Sequence, residues 1–358
     1  MNELGFYTLA GQPESPRELL DEVKAAEAMG IGSCFISERF NIKEAAVLSG
    51  AVGAVSSEIG IATAATNHST RHPMVTAAMA MSMHTLTEGR FSLGLGRGIA
   101  PMFRAYGIDP IKTAQIEDFV SLMRKIWRGE LVVGHDGPAG KYPLLSMGPQ
   151  YDAAIPLTFT AFGPNSLDLG GRVFDAVVLH TFFSDETTAR CVKAIKRAAE
   201  KAGRDPGSVR VWSCFATIGD HLPEELRLKK TVGRLATYLQ GYGDLMVKTN
   251  GWDKSVLDRF RADDFVQNFR GGLDMTATPE ELEHVATLLP EEWLAPAAQG
   301  SPAQCVDAIR GQFELGCDGV ILHGASPEQL EPILDEYRRT RPQAVFDHLP
   351  RNPAGSSI

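Results

Sequence analysis

The chain has 358 residues, 44% of them apolar and 22% charged, with a net charge of -9 at pH 7. That composition suits a globular protein with one large core, and an acidic balance without a basic stripe argues against a nucleic-acid partner. No apolar run approaches the roughly 18 residues that span a bilayer, and the N-terminus lacks the basic start and apolar stretch of a signal peptide, so no membrane role is expected.

Residues 4–10 read as a first strand, followed by the loop Gly11-Gln12-Pro13. Ser15-Pro16 opens a helix carrying Leu19, Leu20, Val23 and Ala26 on one face, closed near Gly30. Cys34-Phe35-Ile36 is a second strand that runs into Ser37-Glu38-Arg39-Phe40, and a helix of small residues covers 43–55. Residues 59–66 are apolar and small without alternation, the pattern of a strand buried on both faces. A polar loop over 67–72 follows, and Pro73 stands at a first helical position, where its missing N–H costs nothing. Val75, Ala78, Met79, Met83 and Leu86 repeat at helical spacing. Phe91, Leu93 and Leu95 mark a fourth strand ending in Gly96-Arg97-Gly98.

Residues 113–127 form a long helix, and 131–147 break the rhythm as a small β insertion. Strands five and six are predicted at 155–160 and 174–179, the latter ending at His180-Thr181. A helix over 187–202 and a seventh strand over 209–217 come next. Residues 221–300 form a charge-rich helical insertion, 319–322 an eighth strand and 327–339 a last helix. The tail after Pro342 is expected to fray. Eight strands alternating with helices predict an α/β fold, a (β/α)8 TIM barrel filling residues 1–342. An open doubly wound sheet is the alternative, but no GxGxxG follows the first strand.

Several motifs coincide in order and spacing: SERF after strand two, TAATNHSTRHP after strand three and EGRFSLGLGRG at strand four. AFGPNSLDLGGRVFDAVVL spans strands five and six, and GSPAQCVDAIRGQFELGCDGVIL leads into strand eight. Together they resemble the luciferase-like monooxygenase superfamily, within it the branch of oxidoreductases that use the deazaflavin coenzyme F420. The resemblance covers nearly the whole chain except 221–300. It implies a barrel holding a flavin-like ring at the C-terminal rim, a small-molecule substrate and a homodimer. FMN is the alternative cofactor, which would make the chain a luciferase-like monooxygenase; a non-catalytic flavin-binding protein is a third reading.

The resemblance also carries site expectations. Glu38 would accept a hydrogen bond from the cofactor, and Arg39 stands where relatives carry a histidine that moves protons. Arginine stays protonated, so Arg39 is read as an anion clamp rather than a base. Thr63-Ala64 occupies the place of a non-prolyl cis peptide behind the ring, with small neighbours that leave room for it. Thr66 and Asn67 would bond the polar edge of the ring, and His68 would hand a proton to substrate. Gly96 and Arg97 let backbone approach a ligand, while Ile99 stands where the sugar-phosphate dehydrogenase branch has a glutamate. Gly163, Pro164, Asn165 and Ser166 open a helix whose free N–H groups suit a phosphate, and His180 would face the cofactor. His323 ends strand eight at the same rim. Phe40, Met102, Phe103, Phe162 and Trp252 are candidates for an apolar pocket under the 221–300 segment. The five cysteines are scattered and the carboxylates show no ligand spacing, so a reducing, cytoplasmic setting and no metal are expected.

Overall fold

A computed structural model describes residues 1–11 and 13–356, which leaves Gln12 of the predicted 11–13 loop outside the described residues. Eight parallel strands close into a barrel: β1 (Leu4–Tyr7), β2 (Ser33–Ile36), β3 (Gly60–Thr63), β4 (Phe91–Leu95), β7 (Leu157–Thr160), β8 (Ala176–Val178), β9 (Arg210–Gly219) and β11 (Gly319–His323). β8 pairs with β9, and β11 returns to β1, which closes the ring. The strands are buried along nearly their whole length, since helices cover the outside and side chains fill the inside. That burial is why the sequence shows apolar runs instead of alternation. Each fully buried Leu or Phe in such a layer contributes about 1.5–3 kcal/mol.

The interior is filled by Phe35, Ala62, Ala64, Ala176, Val178, Trp212, Cys214 and Ile321, small on one side and aromatic on the other. Pro at the first turn starts helices at Pro73, Pro164, Pro302 and Pro327. The insertion at 131–147 is an antiparallel hairpin, β5 (Val132–Gly137) and β6 (Gly140–Leu145). One strand was not foreseen: β10 (Ala298–Gly300) extends the end of β9 in parallel. Its three residues carry no strand pattern; backbone pairing and the burial of Ala298 in the core hold them.

Two expectations are corrected. The cis peptide lies between Ala64 and Ala65, not at Thr63-Ala64. Thr63 is still in the ladder opposite Ile36, and its hydroxyl both donates to the Gly94 carbonyl (2.8 Å) and accepts from the Gly94 N–H (2.7 Å). The tail does not fray throughout. Asn352 and Ala354 are buried at the N-terminal mouth of the barrel, where Asn352 Nδ2 donates to the carbonyls of Gly89 (2.7 Å) and Phe91 (2.9 Å). Trp212 Nε1 donates to the Pro353 carbonyl (2.8 Å), and Arg210, stacked over the Trp212 ring, donates to that of Asn352 (3.3 Å). Gly60 is required here, because a Cβ would lie 2.0 Å from the Arg351 carbonyl oxygen. Among the described residues no helix is long and apolar enough to cross a membrane.

Candidate active site

All barrel strands run parallel, so the loops carrying Glu38, Asn67, Arg97, Gly163 and His180 leave the same C-terminal rim. A cavity of about 980 Å³ opens there. Its floor is small and apolar, formed by Ala64, Ala65, Val178 and Cys214. Five cations line it, Arg39, Lys43, Arg97, Arg234 and Lys248, and the described lining residues include no carboxylate.

One wall is the start of the Pro164–Val173 helix. Gly163 sits before it in an extended conformation, and a Cβ there would meet nothing within 4 Å. Pro164 brings no N–H, and the Ser166 and Leu167 N–H groups donate to the Gly163 carbonyl (2.9 and 3.0 Å), so the N–H groups that remain for the cavity are those of Gly163 and Asn165. Close packing behind sets this helix: a Cβ on Gly171 would fall 2.2 Å from the Ile195 carbonyl oxygen of the neighbouring helix. Arg97 braces the same wall, donating from Nε to Ser166 Oγ (3.0 Å), from Nη1 to the Ile111 carbonyl (3.2 Å) and from Nη2 to Thr113 Oγ1 (2.6 Å). Three of its five N–H bonds are used, which leaves two for an anion.

His180 lines the cavity, but both ring nitrogens are engaged. Nδ1 lies 2.9 Å from the Thr181 carbonyl, which must accept, so Nδ1 carries the proton and Nε2 accepts from the Tyr242 hydroxyl at 3.0 Å. Burial pushes its pKa down to about 4, and the ring stays neutral at pH 7. His323 also lines the cavity, edge-on to Tyr7. Burial, with Arg234, His180, Lys230 and Arg39 around it, holds it well below the usual imidazole range.

Other expected residues lie behind the wall. Glu38, with a side chain 5% exposed, pairs with Arg71 and accepts from Thr66 Oγ1 (2.6 Å) and Asn67 Nδ2 (3.3 Å). Asn67 Oδ1 in turn caps the Ser69 and Thr70 N–H groups. Arg71 turns this carboxylate away from the cavity, so Glu38, Thr66 and Asn67 brace the rim loops and none of the three lines the cavity. Gly96 is packed against Thr160 and Ala65, where a Cβ would be 2.7 Å from Thr160 Oγ1. His68, expected to hand a proton to substrate, is buried against the Phe119 ring and is not among the residues that line the cavity. Burial pushes it down to about 4. A histidine depressed from 6.5 stabilises the fold above that pH and loses the contribution as pH falls through about 4. The midpoint of thermal unfolding is therefore expected to drop between pH 6.5 and 4, and less steeply in His68→Phe; parallel curves for the two proteins would contradict this.

The expected apolar lining is also corrected. Phe162 faces the cavity, but Phe40 and Met102 are exposed, Phe103 packs into the core, and Trp252 stacks on Trp293 at 4.5 Å inside the insertion. Ile99 does line the cavity. What the sequence reading missed comes mainly from 221–300. The Arg234–Asn250 helix turns Arg234, Tyr238, Tyr242, Leu245 and Lys248 toward the cavity. Their i, i+4, i+8 spacing was the available signal. The helix kinks at Tyr242, between Gly241 and Gly243, which aims its hydroxyl at His180.

The family model for luciferase-like monooxygenases matches residues 2–319. The chain is 29% identical over 239 residues to a 5,10-methylenetetrahydromethanopterin reductase of Methanolobus tindarius, covering 65% of this chain and 71% of that protein. Its fold is similar to that of the coenzyme F420 dependent tetrahydromethanopterin reductase from Methanopyrus kandleri, with a TM-score of 0.76 and 18% identity over 93% of this chain and 97% of that one. The oxygenating constituent of 3,6-diketocamphane monooxygenase from Pseudomonas putida, solved with FMN, has a TM-score of 0.61 and 19% identity over 93% and 95%. With an eight-stranded parallel barrel and a rim cavity already in place, this match over most of the chain settles its membership: it belongs to the luciferase-like monooxygenase family of oxidoreductases.

Proposed function

We propose that the protein is an F420-dependent oxidoreductase acting on a small organic substrate. The observation that carries this reading is a cation-rich cavity wall with no carboxylate among its described lining residues, on which Arg97 and Lys248 stand apart from Arg39, Lys43 and Arg234, in a chain whose net charge is -9. F420 carries a phosphate and an acidic tail, whereas FMN carries one phosphate. The charge in this cavity matches the more anionic of the two. Bound F420 would supply hydride transfer to or from a carbonyl or alcohol carbon.

The chain's own residues then have separable tasks. The Gly163 and Asn165 N–H groups are offered to the phosphate, supported by the Ser166 hydroxyl and the spare donors of Arg97. Ala64 and Ala65 leave a flat floor for the ring. Burial keeps His180 neutral, and its bonds to the Thr181 carbonyl and the Tyr242 hydroxyl fix one tautomer, so that wall of the ring site adds no charge. Ile99, Phe162 and Leu245 exclude water from the space above the floor.

The test is anaerobic turnover. Reduced F420, enzyme and a panel of carbonyl compounds are mixed, and the return of oxidised deazaflavin fluorescence is followed. Turnover at the same rate with and without oxygen supports the proposal. Turnover that needs oxygen and reduced FMN contradicts it.

A further inference from the structure

We infer that the cavity contains two separate anion subsites, and that the second, formed by Arg39, Lys43 and Arg234, selects a substrate bearing its own carboxylate or phosphate group. This rests on the F420 reading for the first subsite only. The two groups of cations stand over opposite arcs of the barrel. Arg97 follows β4 and Gly163 follows β7, and these strands are neighbours. Arg39 and Lys43 follow β2, and Arg234 follows β9. Between β2 and β9 the barrel order runs through β1 and β11, whose ends bring Tyr7 and His323 into the same arc. Ala64 and Ala65, after β3, lie on the floor between the two arcs.

Two of the three cations in the second group lack a counter-charge. Lys43 is 4% exposed, and its Nζ donates to the Leu9 carbonyl at 2.6 Å. Arg39 is exposed at the rim, and among the described residues no carboxylate forms an ion pair with Arg39 or Lys43. Arg234 is paired with Asp274 (Nε to Oδ2, 3.0 Å) and hydrogen-bonded to Tyr238, so Arg39 and Lys43 are the two members of the group without an ion-pair partner. The carboxyl that acts on Lys43 through space is Glu22, which accepts from the Leu9 N–H (2.7 Å) and which burial raises to about 7. A buried ammonium held only by a carbonyl is costly, and an incoming anion removes that cost. Burial first, then Arg39 and Arg234 against the opposing pull of Glu22, pushes Lys43 down to about 8. Arg97 feels burial alone, which agrees with its distance from this group.

A phosphate at Gly163 with the ring on the alanine floor leaves the Arg39 arc on the far side of the ring. That is where a substrate must lie to exchange hydride. An anionic group there would orient the reacting carbon as a clamp does.

The test is calorimetric titration of the full chain with inorganic phosphate and, separately, with succinate, each with and without saturating F420. The proposal predicts anion binding that persists with F420 bound, weakens tenfold or more in Arg39→Ala, and does not weaken in Arg97→Ala. F420 affinity follows the reverse pattern. Tighter phosphate than succinate assigns a phosphate ester, and the opposite order a carboxylate. Binding at pH 8 is also expected to take up protons, read in buffers of different ionisation heat, because an anion keeps Lys43 charged; Lys43→Met removes the uptake. Anion binding abolished by F420, or F420 affinity lost equally in Arg39→Ala and Arg97→Ala, overturns the proposal, since one ligand then spans both arcs. If F420 does not bind, the proposed function fails by itself. The titration without cofactor then still decides: two sites separable by Arg39→Ala and Arg97→Ala uphold the second subsite, and a single site refutes it.

Discussion

Gly163→Val is expected to weaken F420 binding by well over tenfold, at least about 1.4 kcal/mol. The effect follows from space and not from folding. Gly163 has φ -101° and ψ 171°, a conformation valine adopts readily, and nothing lies within 4 Å of the added Cβ. The isopropyl group therefore projects into the volume where a phosphate would approach the helix start. The fold is expected to survive with an unchanged unfolding midpoint. Unchanged binding by the folded variant would mean that the phosphate sits elsewhere, with Arg97 the next place to look.

The second large effect lies at the opposite end of the barrel. Removing residues 350–358 deletes the hydrogen bonds of Asn352 to Gly89 and Phe91 and the two acceptors used by Trp212 and Arg210. At about 1 kcal/mol each these sum to roughly 4 kcal/mol, before counting the water let in on Trp212 and the lost burial of Ala354. For a domain of this size the midpoint is expected to fall by roughly 5–10 °C. Ligand affinity measured well below that temperature is expected to stay unchanged, because the cavity is at the other rim. A truncated chain as stable as the full one would show that the tail only rests on the barrel floor.

The barrel was legible because its signals are local. Parallel strands buried on both faces give runs such as residues 59–66, and prolines at helix starts give the alternation its punctuation. The tail was not legible, since Asn352-Pro353-Ala354 carries no pattern of its own and is fixed by Gly89, Phe91, Trp212 and Arg210, all more than a hundred residues away. The site was legible at the level of loops and much less so for side chains. A helix start and a glycine-flanked arginine mark Gly163 to Ser166 and Arg97 in the sequence, and these residues line the cavity. Glu38 was assigned to the cavity from its place after a strand, but its direction is set by Arg71, 33 residues on. Lys43 reads in the sequence as the first residue of a surface helix; the turn at Leu9, with φ 54°, brings its carbonyl into reach. The face of Arg234, Tyr238 and Tyr242 could have been read from its spacing, although nothing local said which way the insertion folds.

The central claim is that this cavity takes F420 and not FMN. It is tested most directly by titrating the purified protein with each cofactor separately and following fluorescence quenching. The account predicts micromolar or tighter F420 binding, about -8 kcal/mol or better. It also predicts FMN binding at least tenfold weaker, and F420 affinity that falls as salt rises, because charge in the cavity carries much of the preference. FMN binding tighter than F420, insensitive to the loss of Arg97, would contradict it and make oxygen-dependent flavin chemistry the reading to pursue.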